Sequence, residues 1–279
     1  MPNHPSDSKR TTVLPRRWLW LFRLFRWYAR RYVRKHFHAV RVSKSGHGFP
    51  PTTTTGREPL LIVLNHPAWW DPMICLMLSR LIADRDQFAA IDAEAVTQYA
   101  FFRKLGFIGV DTKSLRGAAD FLRTGVTILS ESNRVYWVTA QGRFADVRER
   151  PLAIAAGVGH LAARLTHGTV LPVALEYTFW TERTPEALVR VGHPLRIADH
   201  PGLSGKAWTA LIEAGMTQNL DTLNAETMSR DPAKFHLLLA GKTGIGGPYD
   251  WWRRLKAWAR GQKFDASHGH GPPSDEVRP

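Results

Sequence analysis

A chain of 279 residues, 44% of them hydrophobic, can bury a substantial core and form one or two domains. Its single cysteine, Cys75, rules out an internal disulfide, and no Cys/His set has zinc spacing, so no metal site is expected. The formal charge of +14 points to an anionic partner: a membrane surface, a nucleic acid or an acidic substrate.

Residues 1–12 are polar and are expected to be disordered. Residues 9–35 hold Lys9, Arg10, Arg16, Arg17, Arg23, Arg26, Arg30, Arg31, Arg34 and Lys35 with no acid among them, interleaved with aromatic side chains. At ~100° per residue, Trp18, Leu21, Phe22, Phe25, Tyr28, Ala29 and Tyr32 fall on one helical face and Arg16, Arg23, Arg26, Arg30 and Arg34 on the other. Trp20 and Trp27 lie on the arginine side. Such a helix suits the interface of an anionic bilayer, with aromatic rings at headgroup depth and guanidinium groups on lipid phosphates. Arg23 and Arg26 interrupt every window that might span a membrane or serve as a cleaved leader. A basic aromatic arm of this kind also suits RNA.

Ser43 to Pro59 is rich in Gly, Pro and Thr and reads as a linker or long loop. The aliphatic run Leu60 to Leu64 has the length of a buried strand and leads straight into Asn65-His66-Pro67-Ala68-Trp69-Trp70-Asp71. His66 thus stands at a strand's exit, where α/β proteins place reacting groups, and Asp71 can reach back to its imidazole if the chain turns tightly. A helix is expected from Pro72 to Leu81, with Cys75 a buried and inert thiol, then a strand over Phe88 to Ile91. The aromatic residues between Tyr99 and Lys104 point to burial or lipid contact. Further strands are expected at Gly106 to Val110, Val135 to Val138, Val170 to Tyr177 and Ala187 to Val191, with helices at Ser114 to Glu131 and Pro151 to Leu165. Strands alternating with helices predict an α/β fold with a mostly parallel central sheet flanked by helices and amphipathic helices at both chain ends.

Beyond about residue 200 the pattern turns helical: Ala207 to Leu223 is one candidate. Asp250 to Arg260 is another, with Trp251, Trp252, Leu255 and Trp258 on one face, followed by a Gly, Pro and His rich tail. Ala240-Gly241-Lys242-Thr243 ends like a phosphate-binding loop, but His236 stands where that motif needs glycine. The expected organisation is a basic aromatic arm over 1–40, an α/β domain over 41–200, a helical extension over 201–264 and a flexible tail over 265–279.

Asn65-His66, four residues and Asp71 resemble the first signature block of the glycerolipid acyltransferases, the lysophospholipid acyltransferase or PlsC-like family. Gly106 to Asp111 resembles the second block, although Thr112 stands at the usual arginine position, with Lys113 and Arg116 just after it. Thr139-Ala140-Gln141-Gly142-Arg143-Phe144 resembles the third, with Gln141 in place of glutamate. Val170 to Val173, broken by Pro172, is similar to the fourth. The four occur in the family's order between Leu60 and Val173, more than a third of the chain.

The resemblance implies an O-acyltransferase that moves a fatty acyl group from a thioester of coenzyme A or acyl carrier protein to a hydroxyl of a lipid acceptor, with no bound cofactor. His66 would act as general base, since an imidazole titrates near neutrality, and Asp71 would orient it. No acyl-enzyme is expected, because no Ser or Cys stands at motif spacing. Carbonyl charge would be met by N–H groups near Gly142 and at the helix start after His66. Asn65, Lys113, Arg116, Gln141, Gly142, Arg143 and Pro172 are the implied substrate-binding residues. Thr112 and Gln141 depart from the pattern that holds glycerol phosphate, so the acceptor is expected to be a lysophospholipid, a glycolipid or an isoprenoid-type alcohol. With a lipid acceptor implied, an anionic membrane is the expected partner rather than a nucleic acid. The expected location is peripheral, on the cytoplasmic face, through Arg16, Arg17, Trp18, Phe22, Phe25, Arg23, Arg26, Trp251, Trp252 and Trp258. The competing reading is an inactive protein of the same fold that binds anionic membrane or nucleic acid.

Overall fold

The computed structural model describes residues 14–49 and 57–242. The helix expected over 250–260, with Trp251, Trp252 and Trp258, lies outside the described residues, as do the first twelve residues and the tail.

In chain order the strands are β1 Ala39–Ser43, β2 Leu60–Leu64, β3 Asp86–Asp92, β4 Phe107–Val110, β5 Arg134–Thr139, β6 Thr169–Thr178, β7 Glu186–Val191, β8 Leu195–Arg196 and β9 Phe235–Ala240. The α-helices are α1 Leu19–His36, α2 Asp71–Leu78, α3 Ala93–Gln98, α4 Phe102–Leu105, α5 Leu115–Leu129, α6 Ala156–Ala162 and α7 Gly205–Met228. One sheet runs in the order β4-β3-β5-β2-β6-β7-β1-β9, with β8 pairing the start of β6. From β4 to β6 every pairing is parallel. β7 turns back antiparallel to β6, β1 lies parallel to β7, and β9 closes the described edge antiparallel to β1. The α/β expectation with a mostly parallel, helix-flanked sheet is what the chain adopts.

Period-two alternation divides the strands between two cores. Leu61 and Val63 of β2 join Tyr136, Val138, Val170 and Ala174 beneath α5, α6 and α7, where Trp208, Ile212, Met216 and Leu220 are buried. Leu60, Ile62 and Leu64 face the other way with Trp137, Leu171, Val173 and Leu175, under α1 and α2. Gly159 lets α6 lie directly on α7, since a Cβ there would sit 2.1 Å from Thr209 Oγ1 and 2.4 Å from Thr209 N. Both cores converge on β2. All five of its side chains are buried, so the turn at its C-terminal end starts from a fixed place.

Three strands lie where none is expected from the pattern: β1, the two-residue β8 and β9. β1 lies between the amphipathic helix and the supposed linker, sharing only Ser43 with the latter, and β9 interrupts the region read as helical. β1 escapes a hydropathy reading because Arg41 sits at a buried position, its Nε donating to Glu186 Oε2 at 2.9 Å across the β1–β7 pairing.

α1 requires a second correction. Its regular apolar stripe packs on the domain: Phe22, Ala29 and Val33 are buried, and Leu21 and Phe25 pack against the same core. Arg17 is drawn inward with them; its side chain is 6% exposed, pairs with Asp86 and stacks over the rings of Phe22 and Phe88. Arg26 is half-buried, its guanidinium 5.3 Å from the Phe22 ring centroid. Of the residues expected to meet lipid, Arg17 and Phe22 are inside, whereas Arg16, Trp18 and Arg23 are exposed. Besides Trp18, the large apolar side chains turned outward here are Leu19, Trp20, Leu24, Trp27 and Tyr28. A stripe at helical spacing looks the same whether protein or lipid covers it, and here the open face of the sheet takes it first. No described helix is long and apolar enough to cross a membrane.

Candidate active site

The end of β2 is tied down on both sides before the chain turns. Asn65 Nδ2 donates to Leu175 O at 2.9 Å and its Oδ1 accepts from Leu175 N at 2.8 Å, so the side-chain amide continues the β2–β6 ladder. This occupies both ends of the amide, and Asn65 holds backbone rather than facing the open edge. On the β5 side, His66 N donates to Gln141 Oε1 at 3.2 Å while Gln141 Nε2 donates to Leu152 O at 3.0 Å. Ala145 N closes the frame by donating to His66 O at 3.0 Å. Gln141 is thus a buried clip between the first and third motif blocks, a job its neutral amide can do with one donor and one acceptor.

The imidazole of His66 emerges from this frame with its Nδ1 2.5 Å from Asp71 Oδ2 and its ring 4.2 Å, centroid to centroid, from that of Phe144. Asp71 opens α2, a favourable place for a carboxylate against the helix dipole, and is only 1% exposed. Its charge is compensated from three directions: the His66 ring, Ala68 N at 3.3 Å to Oδ2, and Tyr177 Oη, which donates to Oδ1 at 2.6 Å. Among the described residues nothing hydrogen-bonds His66 Nε2. The arrangement is an imidazole with one nitrogen anchored and the other available for proton transfer.

The start of α2 has few N–H groups left for a developing oxyanion. Asp71 N, Met73 N and Ile74 N are bonded to Ala68 O and Trp70 O, Ala68 N is on Asp71, and Pro72 has none. Gly142 is different. It holds the left-handed conformation at φ +62°, is exposed, and its N–H makes only a long 3.4 Å bond to Thr139 O. Thr112 lies against this turn, its methyl 4.0 Å from where a Cβ on Gly142 would stand, so the fold brings the second and third blocks together.

The basic residues expected to receive an anionic headgroup are placed less favourably. Arg143 is engaged by Glu149 through two hydrogen bonds, one of 3.2 Å, and the bonding holds the Glu149 carboxyl below its ordinary range. Lys113 and Arg116 are exposed at the approach to α5, Lys113 4.0 Å from Glu94. Pro172 pairs with Val63 inside β6; its carbonyl accepts from Gly192 N at 2.8 Å and its ring faces Gly215 of α7. Cys75 is partly buried, and desolvation with Asp71 nearby pushes its thiol far upward, keeping it protonated. Among the described residues no group of three or more His, Cys, Asp or Glu side chains could hold a metal ion.

Two features had no signal in motif spacing. A cleft of about 390 Å³ opens beside the dyad, walled by Pro67, Ala68, Val147, Arg148, Glu176 and Tyr177. Among the described residues that wall it the one cation is Arg148, held bidentately by Asp146 at 2.8 Å, and burial raises the Glu176 carboxyl, which accepts from Thr227 Oγ1 at 2.9 Å. The other is Tyr177. Its placement comes only from the alternation that buries Leu171, Val173 and Leu175 on the α2 side of β6.

Residues 17–176, more than half of the chain, match a family model described as acyltransferase. No curated protein matches the chain.

Proposed function

The chain belongs to the acyltransferase family, that of the glycerolipid and lysophospholipid acyltransferases, and from this premise we propose that it transfers a fatty acyl group from a thioester to a hydroxyl of a lipid acceptor at a membrane surface. The observation that carries the mechanism is the anchored imidazole: Nδ1 against Asp71 at 2.5 Å leaves Nε2 as the base. The acceptor O–H gives its proton to His66 Nε2 as its oxygen forms a bond to the thioester carbon. Asp71 stabilises the resulting imidazolium. The tetrahedral intermediate collapses by breaking the C–S bond, and the departing thiolate takes the proton back from His66. We assign the carbonyl oxygen to the turn at Gly142, which is exposed and whose N–H makes only a long bond to Thr139 O.

The acceptor reading rests on where cations are and are not. The cleft beside the dyad presents Glu176 and an Asp146-bound Arg148 rather than free basic groups, and Arg143 is already paired with Glu149. A neutral or zwitterionic headgroup suits this wall better than a free phosphate monoester does. The donor is an acyl thioester of coenzyme A or acyl carrier protein. The test is a panel of lysophospholipid, glycolipid and polyprenol acceptors with palmitoyl-coenzyme A and palmitoyl-acyl carrier protein. Acylation of a neutral or zwitterionic lipid is expected; transfer confined to glycerol 3-phosphate or lysophosphatidic acid would overturn the acceptor reading.

The membrane-facing surface we propose is the outer side of α1, where Trp20, Leu24 and Trp27 are exposed among Arg16, Arg23, Arg31 and Arg34. Indoles favour the wet interface and guanidinium groups the lipid phosphates, so apolar burial and charge act on the same face. Covering two exposed indoles contributes on the order of 1–2 kcal/mol each. Trp20→Ala with Trp27→Ala is therefore expected to weaken binding to phosphatidylserine-rich vesicles about tenfold or more in a flotation assay. Unchanged binding would remove this face from consideration.

A further inference from the structure

We infer that Tyr177 is a positioning residue for the His66–Asp71 pair: its hydroxyl holds Asp71 Oδ1 so that Oδ2 stays directed at His66 Nδ1. The inference rests on the acyl-transfer reading only for its kinetic consequence; the geometry stands without it. The family match ends at residue 176, so Tyr177 is the first residue beyond it.

The lone pairs of a buried carboxylate must be satisfied, and those of Asp71 divide cleanly. Oδ2 takes His66 Nδ1 at 2.5 Å and Ala68 N at 3.3 Å; among the described residues Oδ1 takes the Tyr177 hydroxyl alone, at 2.6 Å. Asp71 is nearly inaccessible, so water does not readily replace that donor, and an unmet oxygen would favour rotation of the carboxylate about χ2. Tyr177 is itself held. It stands on β6 two residues beyond Leu175, whose backbone is clamped by Asn65, and its ring centroid lies 5.8 Å from that of Phe37. The sheet thereby delivers the base from β2 and the hydroxyl that fixes its partner from β6, the strand beside it. Burial and the neighbouring carboxylate push the Tyr177 phenol well above its ordinary value, so it remains a donor throughout the working range.

The sign of the effect follows from the geometry. A carboxylate free to turn presents Oδ2 less squarely to His66 Nδ1, so Tyr177→Phe, which removes the donor and keeps the ring, weakens the stabilisation that Asp71 gives the imidazolium. The titratable and charged groups facing the pair are His66 from the β2–α2 turn, Cys75 from α2, and Asp146, Arg148 and Glu176 around the adjoining cleft. None of these changes in Tyr177→Phe.

Histidine ring resonances of the full chain, with the His66 signal identified by its loss in His66→Gln, provide a readout that needs no substrate. Tyr177→Phe is expected to move the His66 midpoint to lower pH, and to have no such effect in an Asp71→Asn background. With palmitoyl-coenzyme A and whichever acceptor the panel identifies, kcat should fall about tenfold while KM holds. A His66 midpoint unmoved by Tyr177→Phe, or moved equally with and without Asp71, would overturn the role of Tyr177 and leave the acyl-transfer reading intact. A moved midpoint in a protein that acylates nothing on the panel would support the positioning role and sink the transferase instead.

Discussion

His66→Ala is expected to lower acyl transfer by about three orders of magnitude, within the range of ~10²–10⁴ that a positioned general base supplies. The side chain contributes little to the frame around it. The contacts that secure its backbone run through His66 N, His66 O and the Asn65 amide, all of which survive the substitution. A fall in kcat without loss of folded protein is therefore the signature to look for, measured as thiol released from palmitoyl-coenzyme A in the presence of acceptor. Asp71→Asn should fall nearly as far, by about 10²-fold or more, because an amide facing Nδ1 no longer selects the tautomer with its proton on that nitrogen. The Asp71 side chain also accepts from Ala68 N and Tyr177 Oη, and asparagine keeps an acceptor for only one of those directions. Full activity in both variants would rule out the dyad as the source of catalysis. Full activity in Asp71→Asn alone would confine Asp71 to a structural part.

Arg41→Ala is expected to cost on the order of 3–5 kcal/mol of folding stability, the usual consequence of leaving a buried charge without its partner. Arg41 and Glu186 have side chains only 2% and 3% exposed, joined at 2.9 Å, with His38 Nε2 3.7 Å from the other carboxylate oxygen. The guanidinium also lies 5.7 Å over the Trp180 ring, so alanine removes packing as well as charge. Burial already raises the Glu186 carboxyl above its ordinary value, against the pull of Arg41, and deleting Arg41 raises it further. A carboxyl whose folded pKa exceeds its unfolded one favours folding when protonated, and that contribution is lost as pH rises from the unfolded value through the folded one. The deficit of Arg41→Ala should therefore be largest at neutral pH and shrink toward pH ~4, near the unperturbed glutamate value. Urea unfolding of variant and wild type at the two pH values measures it. Arg41→Met combined with Glu186→Leu should recover most of the loss, because the cost lies in the unpaired charge. An equal deficit at both pH values would assign the loss to packing against Trp180 instead.

The parts of the fold that could be read from the chain are those set by neighbours within a few residues. Leu60 to Leu64 announce a central strand by composition, and β4, β5, β6 and β7 lie within two residues of their expected bounds. Ser114 caps α5 by accepting from Gly117 N at 3.0 Å, as its place before a periodic stretch suggests. What escaped reading is what depends on distant partners. β1 hides behind Arg41, whose burial makes sense only beside Glu186, and the apolar stripe of α1 gives no sign of whether a sheet or a bilayer will cover it.

The same division runs through the site. By itself the sequence determined that a histidine and an aspartate five positions apart leave a buried strand together, because that spacing and the turn through Pro67 are local geometry. Only the tertiary structure decided how they are held. Gln141 reaches His66 N, Asn65 locks onto Leu175, and Tyr177 donates to Asp71, across 75, 110 and 106 residues of chain. It also turned Trp20 and Trp27 to solvent and drew Arg17 and Phe22 inward. Hydrogen bonds between adjacent parallel strands join residues that no short-range pattern relates. Their pairing is therefore settled when the sheet closes, by burial of the faces and satisfaction of the polar groups caught between them.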